Sequence, residues 1–357
     1  MSEPAGSDFA SLPDLASRAL GGSVVYANDE FFAEKENLIK PEAPGFAPDA
    51  FGHKGKVYDG WETRRRRDTG HDHAIVRLGC PGVVRGIVVD TAFFRGNYPP
   101  EIAVEAACAN GYPALAELAE LPWHTLVART AARGDAANRY AVADLRRWTH
   151  VRLSIYPDGG VARLRVHGEV LADPTFMTGT IDLAALENGG RVTGCSDAFY
   201  SSPANLIMPG RPRVMSDGWE NARRRGPGND WVEISLAAAG RLRRAEIDTS
   251  YFVGNAPGWV ELSAEGERPG PGESAQRVAG AGGSGGRGPG WRSVLPRTSV
   301  QPDARHRFAL DHAGNAERVR LDVYPDGGLA RLRIYGELTP EALAGLADRW
   351  RNTAPMD

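Results

Sequence analysis

Lysine is nearly missing from this chain: only Lys35, Lys40, Lys54 and Lys56 occur in 357 residues, so almost all positive charge is arginine. With abundant Ala, Gly and Pro, that bias reads as the product of a GC-rich bacterial genome rather than a device for binding phosphate. The net charge is −3, which removes any global attraction for nucleic acid or an anionic membrane. Cysteine is scarce as well. Cys80, Cys108 and Cys195 are scattered, with neither a disulfide framework nor a metal-type spacing. No stretch approaches the roughly 18 apolar residues of a membrane helix, and the N-terminal MSEPAGSDFA has no signal-peptide pattern. A G-x-S-x-G elbow, a P-loop and a dinucleotide fingerprint are all missing, which argues against an acyl-enzyme hydrolase, an NTPase and a Rossmann oxidoreductase. These absences lead us to expect a soluble cytoplasmic protein without nucleic-acid or membrane partners.

What is present is a long statement made twice. DGWETRRRR (Asp59 to Arg67) returns as DGWENARRR (Asp217 to Arg225), and VDTAFFRGNYP (Val89 to Pro99) returns as IDTSYFVGNAP (Ile247 to Pro257), both 158 residues on. The flanks repeat at 168: VRLSIYPDGGVARLRVHGEV from Val151 matches VRLDVYPDGGLARLRIYGEL from Val319. The first copy therefore holds about ten further residues before its DGWE, placed between Pro41 and Gly55. The second holds its excess after GNAP, in the Gly-rich run Gly270 to Gly290, which reads as a flexible loop. A period this long means two whole domains, and 42% hydrophobic residues suffice for two cores. The expected division is an extension over 1–22, repeats over 23–172 and 194–340 with a linker at 173–193, and a C-terminal helix and tail over 341–357.

The elements read mainly as strands: Ala74 to Gly79, Gly86 to Phe94, Glu101 to Cys108, His124 to Thr130, His150 to Pro157 and the ARLRVHG segment. In the last, Leu164 and Val166 alternate with Arg163, Arg165 and His167, the pattern of a half-buried antiparallel strand. Pro81-Gly82, Gly96-Asn97, Asp158-Gly159 and Asp326-Gly327 read as turns, and short helices are expected at Leu12 to Leu20, Ala114 to Leu121 and Pro340 to Trp350. Many short strands favour an all-β sandwich. The motif order resembles the galactose-binding-like, or discoidin-like, jelly roll, which implies two such sandwiches in tandem.

Between the paired motifs lie GHDHAIVRLG, with His71, Asp72 and His73, and its counterpart GNDWVEISL, with Asn229, Asp230 and Trp231. With these in place the chain resembles allantoicases, from about Phe31 to Glu337. It departs from the family pattern at His73, where the first copy ordinarily has Trp. The resemblance implies a hydrolase acting on C–N bonds in linear amidines, converting allantoate and water to ureidoglycolate and urea in allantoin catabolism. The expected partners are that small-molecule substrate and further copies of the chain in a homo-oligomer. No cofactor and no metal ligand is assigned, and the sequence leaves a divalent cation open. The alternative is a non-catalytic tandem that binds carbohydrate.

Allantoate carries one carboxylate and two ureido groups on a single carbon. An arginine fork matches the carboxylate, and Asp, Glu and Asn oxygens suit the ureido N–H groups. Departure of urea needs a proton donor, and water needs a base. His71, Asp72, Glu62 and Asp90 are the candidate catalytic residues. Asp59, Arg65, Arg67 and Asn97, with Asp217, Glu220, Arg223, Asp230, Asp248 and Asn255 of the second copy, are the candidate binding residues. Arg65 and Arg67 are preferred in the run because Ala222 replaces Arg64 and a two-residue period then pairs them with Arg223 and Arg225. The plainer readings are ion-paired loop arginines, Trp61 and Trp219 as core residues, Asp59 and Asp217 as turn caps, and Asn97 and Asn255 as left-handed turn residues. His71 is the sharpest candidate, because the second copy has Asn229 there.

Overall fold

In the computed structural model, residues 9–47, 49–53, 55–266, 290–310 and 313–355 are described. The Gly-rich run of the second copy falls outside them, apart from Gly290. The chain forms two compact units, residues 1–171 with 350–357, and residues 172–349.

Unit 1 is built from β1 (Ser23–Ala27), β2 (Asp72–Asp90), β3 (Glu101–Ala107), β4 (His124–Ala131), β5 (Ala137–Ala141), β6 (Arg147–Tyr156) and β7 (Arg163–Val170). Their order is β1-β2-β6-β3-β4, with β5 and β7 also paired to β2, and every pairing is antiparallel. Unit 2 repeats this with β8 (Arg191–Cys195), β9 (Asp230–Asp248), β10 (Trp259–Glu265), β11 (Trp291–Ser299), β12 (Arg305–Ala309), β13 (Asn315–Tyr324) and β14 (Arg331–Leu338). There β8, β13, β12 and β14 all pair with β9.

The 19-residue β2 is the spine of its unit. Its first half lies between β1 and β6, and its second half lies between β5 and β7. The pairing with β6 shifts between Arg77 and Gly82, where the strand passes from one layer of the sandwich to the other. Pro81-Gly82 is therefore not the expected turn; it lies inside one continuous strand and joins the two strands read from the sequence. The expected helix at Leu12 to Leu20 is also corrected. Only 3-10 turns form, at Phe9–Ser11 and Arg18–Leu20, because Asp14 bridges to His167 and Leu15 donates to Val166, which draws the segment onto β7. The other two helices form, at Leu115–Glu120 and Pro340–Asn352. The segments 9–22 and 173–193 are hydrogen-bonded to the sheets: Leu15 and Ala16 are buried, and Ile181 pairs with Gly336.

The core follows the alternation. Leu164 and Val166 are fully buried, as are their counterparts Leu332 and Ile334. Trp61 and Trp219 are core residues with no exposed surface, each donating its indole N–H to a backbone carbonyl, of Asp29 at 2.7 Å and Asp197 at 2.8 Å. Arg163, on the face expected to meet solvent, is only 1% exposed. Burying a guanidinium is costly unless its donors are met. Arg163 meets them at the DGWE turn, giving hydrogen bonds to the Asp59 carboxylate at 2.7 Å, the Asp59 carbonyl at 2.9 Å and the Glu42 carbonyl at 3.0 Å. Arg331 holds the second turn through the carbonyls of Asp217 at 2.6 Å and Gly210 at 3.3 Å. The arginines of β7 and β14 are clamps on the motif.

A second constraint is the turn after β6. Gly159 has φ +145, and a Cβ there would stand 2.7 Å from the Pro99 nitrogen; a Cβ on Gly160 would stand 2.0 Å from the Phe94 ring. Gly328 meets Phe252 in the same way at 1.9 Å. Gly160→Ala is expected to destabilise the protein by about 1–3 kcal/mol through overpacking, read as a lower urea midpoint. Gly96→Ala, with nothing within 4 Å of the added Cβ, leaves the midpoint in place.

Burial alone would raise the Asp59 pKa, but hydrogen bonds from Arg163, Gly45 and Lys40 outweigh it and hold the carboxyl at about 2, below its ordinary 3.8. A depressed carboxylate contributes stability above its unfolded pKa and loses it as pH falls through the folded value. Asp59→Asn should therefore flatten the decline of melting temperature between pH 3.8 and about 2, which a pH series of thermal melts will read.

Candidate active site

The Pro157–Gly160 turn gathers the motif residues of unit 1. Asp72 donates its N–H to the Pro157 carbonyl at 3.1 Å, and the Arg66 N–H reaches the Asp158 carboxylate at 2.8 Å. Gly159 donates to the Thr63 hydroxyl at 3.2 Å, Gly160 donates to the Asn97 carbonyl at 2.7 Å, and Gly160 pairs with Glu62 in a short β ladder. Unit 2 reproduces this around Pro325–Gly328. Asp230 bonds Pro325 at 3.1 Å, Arg224 bonds Asp326 at 2.7 Å, Gly327 bonds Asn221 at 2.8 Å and Gly328 bonds Asn255 at 2.8 Å. Residues from both motifs and from the GHDH segment thus hang on one four-residue turn.

Two side chains expected in one site meet directly. Asn97 Nδ2 donates to Glu62 Oε1 at 2.7 Å, and Asn255 Nδ2 donates to Glu220 Oε1 at 2.6 Å. Neither Asn has a positive φ, so the left-handed turn reading of these residues is excluded. Burial pushes the Glu62 carboxyl above its ordinary pKa, with Asn97 pulling the other way. Glu62 therefore sits nearer to holding a proton at neutral pH than an exposed glutamate does.

The arginine run divides by phase. Arg66 is the one that turns inward: it ion-pairs with the buried Asp72 and with Asp68 at 3.2 Å. Arg224 likewise pairs with the buried Asp230. Arg64 pairs with Asp29 at 2.7 Å. Arg65, Arg67, Arg223 and Arg225 are exposed, and among the described residues their guanidinium groups have no hydrogen bond or ion pair. The ion-pair reading thus holds for Arg64 and Arg66 and not for Arg65 and Arg67.

Asp72 and Asp230 are 2% exposed, and each takes its inward-turned arginine on Oδ1. Asp72 also accepts from Asn28 Nδ2 at 2.8 Å, and Asp230 from the Ser196 hydroxyl at 2.9 Å. Asp90 and Asp248 each cap the next turn, accepting the N–H of Ala92 and of Ser250 at 2.8 Å. Asp59 is clamped by Arg163, and Asp217 accepts from Arg213 Nε at 3.3 Å and from its N–H at 2.9 Å.

His71 is exposed and lies against Tyr156, with ring centroids 4.6 Å apart; His73 is 6.1 Å from it on the same side of the strand. What burial His71 has, together with the nearby Arg152 and Arg66 cations, lowers its pKa, so the ring is neutral at pH 7. His73 is lowered in the same way by burial, Arg152 and His71, and packs against Tyr26 at 5.4 Å. In unit 2, Asn229 donates to Asp322 at 2.9 Å, while Trp231 lies under the Arg320 guanidinium at 4.3 Å. Among the described residues no group of three His, Cys, Asp or Glu side chains is placed to hold a metal, and no helix is long and apolar enough to cross a membrane.

Sequence reasoning missed four positions: Arg66 with Arg224, Thr63 with Asn221, Arg163 with Arg331, and the Asp-Gly-Gly turn itself. Three of the four carried a visible signal, because the YPDGG and ARLR strings and the third arginine recur in both copies. Thr63 against Asn221 carried none, since the two residue types differ while the hydrogen bond to the turn is the same.

Comparison with known proteins agrees with the duplicated fold. The allantoicase repeat family model matches twice, over residues 13–171 and 181–339. A probable allantoicase of Nocardia farcinica is 54% identical over 92% of this chain and 95% of its own length. The allantoicase of Dictyostelium discoideum is 40% identical over 90% of this chain and 86% of its own. The crystal structure of the Saccharomyces cerevisiae allantoicase superposes with a TM-score of 0.77 at 30% identity, covering 94% of this chain and 98% of that one. With both repeats matched and relatives aligned along nearly its whole length, the chain belongs to the allantoicase family.

Proposed function

We propose that the chain hydrolyses allantoate to ureidoglycolate and urea, and that unit 1 carries the reacting groups. The observation that supports this most is the hydrogen-bonded Glu62–Asn97 pair on the same turn from which the GHDH segment hangs, with His71 in one unit only. Glu62, held toward its protonated form by burial, is the acid that gives a proton to the departing urea nitrogen as the C–N bond breaks. His71, neutral at pH 7, is the base that takes a proton from the attacking water as the C–O bond forms. The proton taken equals the proton given, and exchange between the two groups restores the site.

The unpaired Arg65 or Arg67 binds the carboxylate, and Asn97 and Asp90 complete the polar wall around the ureido groups. Asp72 acts as a positioning residue, because its carboxylate is already spent on Arg66 and Asn28. Unit 2 has the Glu220–Asn255 pair and the exposed Arg223 and Arg225 but no histidine at the turn, so its role is binding or scaffolding. No cofactor enters this scheme. A cytoplasmic location and assembly into a homo-oligomer complete the proposal.

Purified protein should release urea from allantoate, with the rate unchanged by a chelator; a protein that releases none while binding a sugar array would replace the enzyme with the binding tandem. His71→Asn should lower turnover by about 10²–10⁴-fold, and an unaltered rate removes His71 from the reaction. Arg65→Lys and Arg67→Lys keep the charge but lose the fork, so one of them should raise KM with little change in kcat. If neither alters the kinetics, the carboxylate is held elsewhere.

A further inference from the structure

In unit 2, a cleft of about 300 Å³ is lined by Arg244, Ala245, Glu246, Arg305, Arg307 and Tyr335. Three neighbouring strands supply it: Glu246 on β9 stands beside Arg307 on β12, and Arg244 beside Tyr335 on β14. The lining holds three guanidinium groups and one carboxylate, a formal charge of +2. Glu246 already engages two of the cations, Arg307 at 3.0 Å and Arg305 at 3.6 Å. Arg244 lies over the Tyr335 ring at 4.2 Å and, among the described residues, has no hydrogen bond or ion pair. Far more N–H donors point into this space than one carboxylate can accept.

Unit 1 shows what the same place looks like when it is closed. There Gly86, Val88 and Ala137 stand where Arg244, Glu246 and Arg305 stand, and Phe9 fills the space. The Phe9 ring lies 5.9 Å from His167 and beneath the Arg139 guanidinium at 4.9 Å, and a Cβ on Gly86 would come within 2.2 Å of it. Unit 2 has exchanged an aromatic plug for a concave cluster with an excess of positive charge. Cations crowded this way repel one another unless an anion joins them, and planar guanidinium forks suit an anion with several oxygens. The volume is at the lower end of those that hold small ligands, roughly 300–1,000 Å³.

We infer that this cleft is a binding site for a compact dianionic oxyanion, such as phosphate or a short dicarboxylate, held between Arg244, Arg305 and Arg307 and separate from the proposed hydrolytic residues. The test is calorimetric titration of the full chain at low salt with inorganic phosphate and, in a second arm, with malonate, each against chloride at matched ionic strength. Saturable binding of either is expected, with a dissociation constant on the order of a millimolar. Arg244→Ser combined with Arg305→Ser should weaken it at least about tenfold, while Arg307 continues to pair with Glu246 and urea release continues at the parent rate, which also shows that the variant is folded. Arg65→Ser combined with Arg67→Ser should leave the binding in place. The arm that saturates identifies the anion class. Binding of neither anion, survival of binding in the Arg244/Arg305 variant, or its loss in the Arg65/Arg67 variant would overturn the inference.

Discussion

Each unit depends on one four-residue turn whose backbone is committed in almost every direction. Pro157 to Gly160 accepts from Asp72 and Arg66, donates to Thr63 and Asn97, and pairs with Glu62. Two segments from distant parts of the sequence are therefore registered against the same turn, through its peptide groups and the Asp158 carboxylate. Both glycines are required by space, because Pro99 and Phe94 press against the positions where side chains would be, and Gly159 is required by its backbone angle as well. A sandwich core fixes its strands, but not the loops at their ends. Here the loops are fixed by hydrogen bonds to one another, which is how polar side chains on loops acquire the rigidity a reaction needs.

Electrostatics reinforces that geometry from beneath. Buried Arg163 and Arg331 reach up from the sheet to the DGWE turns, and Arg66 and Arg224 reach down from the same segment to the buried Asp72 and Asp230. Removing one partner of such a buried pair costs far more than an exposed pair contributes, because the other is left charged in a poor solvent. The motifs are thus pinned by charged side chains at both ends, and Glu62 and Arg65 lie between the pins.

Much of this was legible in the sequence. The doubled motifs imply the duplication, the alternation of Leu164 and Val166 identifies the inner face of β7, and Glu62 and Asn97 read as residues of one site. What was not legible depended on contacts remote in sequence. Pro81-Gly82 reads as a turn by local preference, yet it forms the bend of a strand that pairs with four others, and only that pairing decides the matter. Asp14 looks like part of a helix but spends its side chain on the Val166 N–H. The phase of the arginine run turns on Asp158, 92 residues away, which takes the Arg66 N–H and so points that side chain at Asp72. Arg163 shows the limit of a two-residue period: it lies on the polar face, and that face is roofed by the motif loop.

The hydrogen bonds spent on the turn have a further consequence. Gly159 and Gly160 give their N–H groups to Thr63 and Asn97, so neither glycine is left to cradle an anion in the way a phosphate loop does. Negative charge arriving at this rim meets instead the guanidinium groups of Arg65 and Arg67, which are exposed to solvent. Fixed dipoles in a dry pocket are indifferent to dissolved salt, whereas exposed charges are felt only across a Debye length, about 8 Å at physiological ionic strength. The rim thus senses the ionic medium: dilute solution extends its reach toward an approaching carboxylate, and concentrated solution shortens it to contact.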